Sequence, residues 1–171
     1  MTEPTERHFT ATAYIVSQGR TLLLWHRKLG MWLPPGGHCE PNEDPVQAAR
    51  REAEEESGLA VEIIAPRDLL VCVGPLVLPP PVVILVEDIV RADQPFHQHI
   101  DNVYFAQPVL EPVDFERPIP AGPHRWVTAQ ELESAFSLAT PDGTLVFVAE
   151  DVRLLGIRAI AAAAESEMSR A

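Results

Sequence analysis

Both ends of one helix are written into the stretch from Asp44 to Gly58. Asp44 suits an N-cap, Pro45 falls at the first helical position, where its missing N–H costs nothing, and Gln47 completes a capping box. Gly58 tolerates the left-handed turn that stops a helix. At about 100° per residue, Val46, Ala49 and Ala53 share one arc, which can be buried only against another layer. The flanking sequence supplies that layer. Residues Phe9 to Val16 alternate, Ser17-Gln18-Gly19-Arg20 is turn-like, and Thr21 to His26 is a second apolar run, so a hairpin is predicted. Met31-Trp32-Leu33 then leads into Pro34-Pro35-Gly36-Gly37, which forbids helix and predicts a structured loop.

Downstream, residues 60–64, 69–73, 82–89 and 102–106 read as strands, separated by proline-rich connections at 75–81 and 117–123. Trp126-Val127 reads as a last strand. Thr128 and Glu131 form a second capping box, opening a short helix to about Phe136. A longer helix is predicted from about Thr144 to Glu165, with Val148, Val152, Leu155 and Ala159 as its apolar stripe. Strands mixed with a few helices predict a sheet with helices packed on its faces.

A chain of 171 residues fits one domain, 1–171, with residues 1–7 as a flexible N-terminus. The longest apolar run, VVILV at 82–86, is strand-sized and far short of the roughly 18 residues of a membrane span. The N-terminal MTEPTERHFT lacks the basic start and apolar centre of a secretory signal, so a cytoplasmic location is expected. Cys39 and Cys72 make neither a disulfide framework nor a zinc motif and are expected as free thiols. The formal net charge of −12 opposes binding to nucleic acid. It leaves small phosphorylated substrates open, provided a cation mediates.

The second half of the first helix reads Arg50-Arg51-Glu52-Ala53-Glu54-Glu55-Glu56-Ser57-Gly58. Glu52, Glu55 and Glu56, at spacings of three and four, share one arc, while Glu54 points away. Like charges at this spacing repel by a few tenths of a kcal/mol, and acids near a helix C-terminus oppose its dipole by roughly 0.3–1 kcal/mol each. A solvated acidic face leaves that cost without a return. A hard divalent cation, which takes oxygen ligands and is shared between carboxylates, water and phosphates, accounts for it.

Gly37-HCEPN-Glu43-DPVQAAR-Arg51-Glu52-Ala53-Glu54-Glu55-Glu56-Ser57-Gly58-Leu59 resembles the Nudix box, G-x5-E-x7-R-E-U-x-E-E-x-G-U with U a bulky aliphatic residue. The one departure is Ala53, small where a branched aliphatic is usual. The resemblance implies an α/β fold, a Nudix-type α/β/α sandwich with a mixed β-sheet flanked by helices. It implies that Glu52, Glu55 and Glu56 ligate Mg2+ (or Mn2+), with the carbonyl of Gly36 as a further ligand. Arg51 would orient a helix glutamate, and Gly37, Glu43 and Gly58 would hold the loop and helix end. The expected reaction is hydrolysis of a phosphoanhydride bond in a nucleoside di- or triphosphate. The general base would be Glu52, Glu55 or a residue outside the box. The alternatives are a nucleoside-diphosphate-sugar pyrophosphatase of the ADP-ribose kind, for which the family offers a proline about 16 residues after the box, where Pro75 stands, and a non-catalytic ligand-binding module.

Arg27 and Lys28, just before the glycine loop, are candidate phosphate contacts, with plain solvation as the competing reading. His97, His99 and Asp101 alternate along FHQHIDNVYF and suggest a second metal site, but three ligands at spacing two are awkward for one ion, and a structural or substrate-contact role is the preferred reading. Trp25, Trp32, Tyr14 and Tyr104 are candidates for base stacking or for the core. Cys39 falls at a variable box position, and a thiol is a poor magnesium ligand.

Overall fold

The computed structural model describes residues 5–134 and 137–170. Ten strands and three helices follow in the order β1 (Arg7–Ser17), β2 (Arg20–His26), β3 (Met31–Leu33), β4 (Gly36–His38), α1 (Pro45–Ser57), β5 (Val61–Ile63), β6 (Val83–Ile89), β7 (His97–Pro108), β8 (His124–Thr128), α2 (Ala129–Ser134), β9 (Ser137–Ala139), β10 (Leu145–Phe147) and α3 (Glu150–Arg170). The main sheet is mixed. β1 and β7 run parallel through nine aligned pairs, from Arg7↔Gln98 to Ile15↔Ala106, and every other pairing in the sheet is antiparallel.

The two faces of β1 explain the layering. Ala11, Ala13 and Ile15 point to one side, where Val46, Ala48, Ala49 and Ala53 of α1 pack on them. Tyr14 and Val16 point to the other, against Leu155, Ala159 and Ala163 of α3. A mixed sheet flanked by helices results, as expected. A third cluster, including Leu23, Trp32, Val127, Leu132 and Val152, packs α2 and α3 on the β2–β3–β8 end. No described helix is long and apolar enough to cross a membrane.

α1 has the predicted ends. Asp44 accepts from the N–H groups of Val46 and Gln47, the Gln47 side chain accepts from the Asp44 N–H, and Gly58 closes the helix at φ 69°. The second capping box also forms between Thr128 and Glu131, although Phe136 lies outside the described residues.

Four expectations are corrected. The Pro-Gly-Gly loop contains a strand, β4, because its glycines allow it to lie against β1. Residues 69–73 form no strand; Leu70, Val71 and Val73 are exposed, and apolar β-formers without a partner strand stay irregular. β7 begins at His97 rather than 102, since pairing on both edges overrides the poor propensity of its polar first half. The last helix begins at Glu150 rather than Thr144. Asp142 and Gly143 turn the chain into a β9–β10 hairpin, with Asp142 accepting from the Thr144 N–H at 3.1 Å.

Candidate active site

β4 lies between β1 and the acidic arc of α1, and two glycines make that possible. A Cβ on Gly36 would stand 2.9 Å from the Ala11 carbonyl oxygen and 3.0 Å from Thr12 Cα, a collision with backbone. A Cβ on Gly37 would stand 2.6 Å from the carboxyl carbon of Glu52. The Gly36 N–H donates to Glu56 Oε2 at 3.1 Å. Both glycines therefore meet the helix glutamates directly.

Arg51 organises the rest. Its Nε and Nη2 fork onto the two oxygens of Glu43 at 2.9 and 3.0 Å, and Nη2 also donates to the His38 carbonyl at 2.9 Å. Nη1 donates to Glu52 Oε1 at 2.7 Å and to Glu55 Oε2 at 3.2 Å. Glu43 in turn accepts from the Glu40 N–H at 3.0 Å, which ties the loop before α1 to the same guanidinium. The hydrogen bond from Arg51 holds the Glu43 carboxyl below its ordinary range, and Glu43 and Glu52 together raise the Arg51 pKa.

The three arc glutamates differ. The Glu52 side chain is 16% exposed and that of Glu55 61%. Burial raises the Glu56 pKa; the Gly36 N–H opposes the rise, while Glu52 and Glu55 add to it. Oε2 of Glu52 and Oε1 of both Glu55 and Glu56 have no hydrogen-bond donor among the described residues. Three carboxylates on one helix arc, each with a free oxygen and two of them braced through the other oxygen by one arginine, fit a hard divalent cation. Glu54 is exposed and outside the group.

A cavity of about 490 Å³ opens on the α3 side of the sheet. Gly36 and Gly37 line it, with Glu87, Asp101, Asp151 and Arg91. Burial raises the carboxyl pKa of Glu87, and Asp101 and Asp151 push it further. Burial also raises Asp101, which accepts from Thr10 Oγ1 at 2.9 Å. Arg27 and Lys28 are exposed in the turn after β2 and do not line the cavity. Tyr14 lines it but is buried. Trp32 and Tyr104 are core residues, and Trp25 packs on Trp32 with ring centroids 5.4 Å apart. Cys39 is partly buried against the core, Cys72 is exposed, and both are free thiols; burial raises the Cys39 pKa. Pro75 is exposed and does not line the cavity.

The cavity wall also carries five histidines, and four of them, His8, His38, His97 and His99, stand together while His26 lies apart from that group. His97 and His99 of β7 are joined not by Asp101, which turns to Thr10, but by His8 of β1 and His38 of β4. Burial, and then the neighbouring imidazoles, lower the His99 pKa to about 4.

The NUDIX domain family model matches residues 6–146. The chain belongs to the NUDIX family. It is 27% identical over 157 residues to the protein named phosphatase NudJ of Escherichia coli (strain K12), an alignment covering 85% of this chain and 81% of that one. A NUDIX family hydrolase from Clostridium perfringens shares the fold with a TM-score of 0.67 and 30% identity, over 91% of this chain and 97% of that chain. A C. elegans Ap4A hydrolase, at 17% identity and a TM-score of 0.53 over 95% and 98% of the two chains, shares the fold. This Nudix chain is accordingly a hydrolase of phosphoanhydride substrates.

Sequence reasoning about this Nudix hydrolase did not reach His8, His38, Glu87 and Arg91. The available signal was alternation. His8, Thr10 and Thr12 on β1 and His97, His99 and Asp101 on β7 each line one face, but only the parallel register His8↔His99 brings the two rows together.

Proposed function

We propose that the protein is a Mg2+-dependent pyrophosphohydrolase of nucleoside 5′-di- or triphosphates, working as one domain over residues 1–171 on small cytoplasmic nucleotides rather than nucleic acid. One observation carries this reading: the glycines that line the cavity, Gly36 and Gly37, are the residues that touch Glu56 and Glu52. The cavity and the acidic arc thus meet at one place. Glu52, Glu55 and Glu56, with the Gly36 carbonyl, would hold the cation. Magnesium, when held there, neutralises diphosphate oxygens and acidifies water.

The chain's own residues do the remainder. Arg51 fixes Glu52 and Glu55 in one orientation and, through Glu43 and the His38 carbonyl, fixes the loop against the helix. As water oxygen bonds to phosphorus and the bridging P–O bond breaks, a carboxylate takes the water's proton and the leaving phosphate keeps the bond's electron pair. Glu52 and Glu55 are the candidates in the box. Glu87, which lines the cavity and whose carboxyl pKa is raised by burial, is the candidate outside it. Arg91 lines the cavity and is the better-placed phosphate contact than Arg27 or Lys28.

The test is a panel of nucleoside di- and triphosphates and nucleoside-diphosphate sugars assayed with Mg2+, with products identified chromatographically. Phosphate or pyrophosphate release from nucleotides is expected. Nucleoside monophosphate plus sugar phosphate as the dominant products would replace this reading with the diphosphate-sugar one, and no turnover at all would leave a binding module.

A further inference from the structure

Four imidazoles converge where β1 and β7 begin. His8 stands opposite His99 in the parallel register, His97 precedes it on the same face, and His38 arrives on β4, whose pairing sets it against Thr10 of β1. One ring nitrogen from each lies within 4.8 Å of the other three. Two contacts are shorter: His8 Nδ1 to His38 Nε2 and His97 Nε2 to His99 Nε2, both 3.3 Å. An ion bound tetrahedrally at the usual metal–imidazole length of about 2.0–2.1 Å separates its ligand atoms by about 3.4 Å.

The outer nitrogens are also committed. His8 Nε2 lies 3.0 Å from Glu6 Oε1, and His97 Nδ1 lies 3.0 Å from the Pro95 carbonyl oxygen. A carbonyl can only accept, and an ionised carboxylate likewise, so each of these rings carries a proton on its outer nitrogen. In the neutral imidazole, the form that ligates a metal, their inner nitrogens, Nδ1 of His8 and Nε2 of His97, then present lone pairs to the cluster. An imidazole oriented by a carboxylate or carbonyl on its far side is the usual arrangement of a metal-bound histidine.

We propose that His8, His38, His97 and His99 form a four-nitrogen site for one divalent transition-metal ion of the zinc class, separate from the glutamate box. Donor chemistry divides the two sites: imidazole suits zinc, copper and nickel, whereas magnesium takes oxygen. Four protein ligands close a tetrahedral ion, so its role is structural rather than catalytic. It ties β4 to β1 and β7, and thereby fixes Gly36 and Gly37, which immediately precede His38.

The experiment uses the full chain, stripped with chelator, and a Glu52→Gln/Glu56→Gln variant that disables the box. Calorimetric titration of the variant with Zn2+ should show one ion per chain. Adding His8→Ala and His97→Ala should weaken that step at least about 100-fold. If the quadruple variant misfolds by circular dichroism, ring-nitrogen NMR of the wild-type chain decides. Zn2+ should shift His8, His38, His97 and His99 and leave His26 and His124 in place. Zn2+ binding that vanishes in the glutamate variant, shifts spread over all six histidines, or no binding at all would overturn the proposal.

Discussion

Glu52, Glu55 and Glu56 come from a single helix, whereas His8, His38, His97 and His99 come from three strands. β4 touches both groups: Gly36 and Gly37 meet the glutamates, and the next residue, His38, joins the imidazoles. The acidic group is assembled by helical spacing and would persist in any fold that formed α1. The histidine group depends on strand register and disappears with a one-residue slip, because a slip turns every side chain to the other face. A polar site thus inherits its tolerance to change from the order of structure that builds it.

The largest effect should come from the local group. Glu52→Gln is expected to lower Mg2+-dependent turnover by about 10²–10⁴-fold, measured as phosphate release, with helix content unchanged. Arg51→Lys keeps the charge but loses the fork onto Glu43, and should lower turnover by about 10–100-fold.

The neighbouring glycines should separate function from stability. Gly37→Ala meets the flexible end of Glu52, so it should displace the carboxylate and reduce activity about tenfold with little change in Tm. Gly36→Ala meets backbone instead, and a forced backbone shift of this kind costs about 1–3 kcal/mol. Equal losses of Tm in the two variants would break that distinction.

The smallest expected effect has a sign that tests the electrostatics. Glu56 has a raised pKa in the folded chain, so its ionised form costs stability once pH rises past the ordinary carboxylate value. Without metal at pH 7, Glu56→Gln should therefore raise Tm, by about 2 °C, and the gain should fade as pH falls below that value. Glu43 runs the other way. Held down by Arg51, it contributes stability above the ordinary carboxylate pKa and loses it as pH falls through its lowered value, so Glu43→Gln should lower Tm at pH 7 and converge with wild type in acid. Melting curves across pH for both variants read the two signs directly.

Much of the box was legible because its parts are neighbours in sequence. Asp44, Pro45, Gln47 and Gly58 specify a helix by local bonds, and a helix converts spacing into a face. The sheet with its covering helices was legible for the same reason, from alternation in β1, the apolar run of β6 and the stripe of α3. Residues 69–73 misled because strand propensity says nothing about whether a partner strand exists. His97 and His99 were noticed, but their partners lie on β1 and β4, and nothing local encodes which residue a parallel neighbour presents. Ala53, the departure from the bulky aliphatic pattern, is fully buried among Ala11, Ala13 and Ala49. Small residues on both layers let α1 lie close to β1.

The parallel pairing of β1 with β7 has a consequence in time. Arg7 and Gln98, bonded at 3.0 Å, are 91 positions apart, so the chain must close a long loop before that contact can form. During synthesis α1 and the β1–β2 hairpin can form while β7 is still unmade. The acidic arc should therefore be an early product of folding and the histidine face a late one, with the cavity absent until the second central strand is in place.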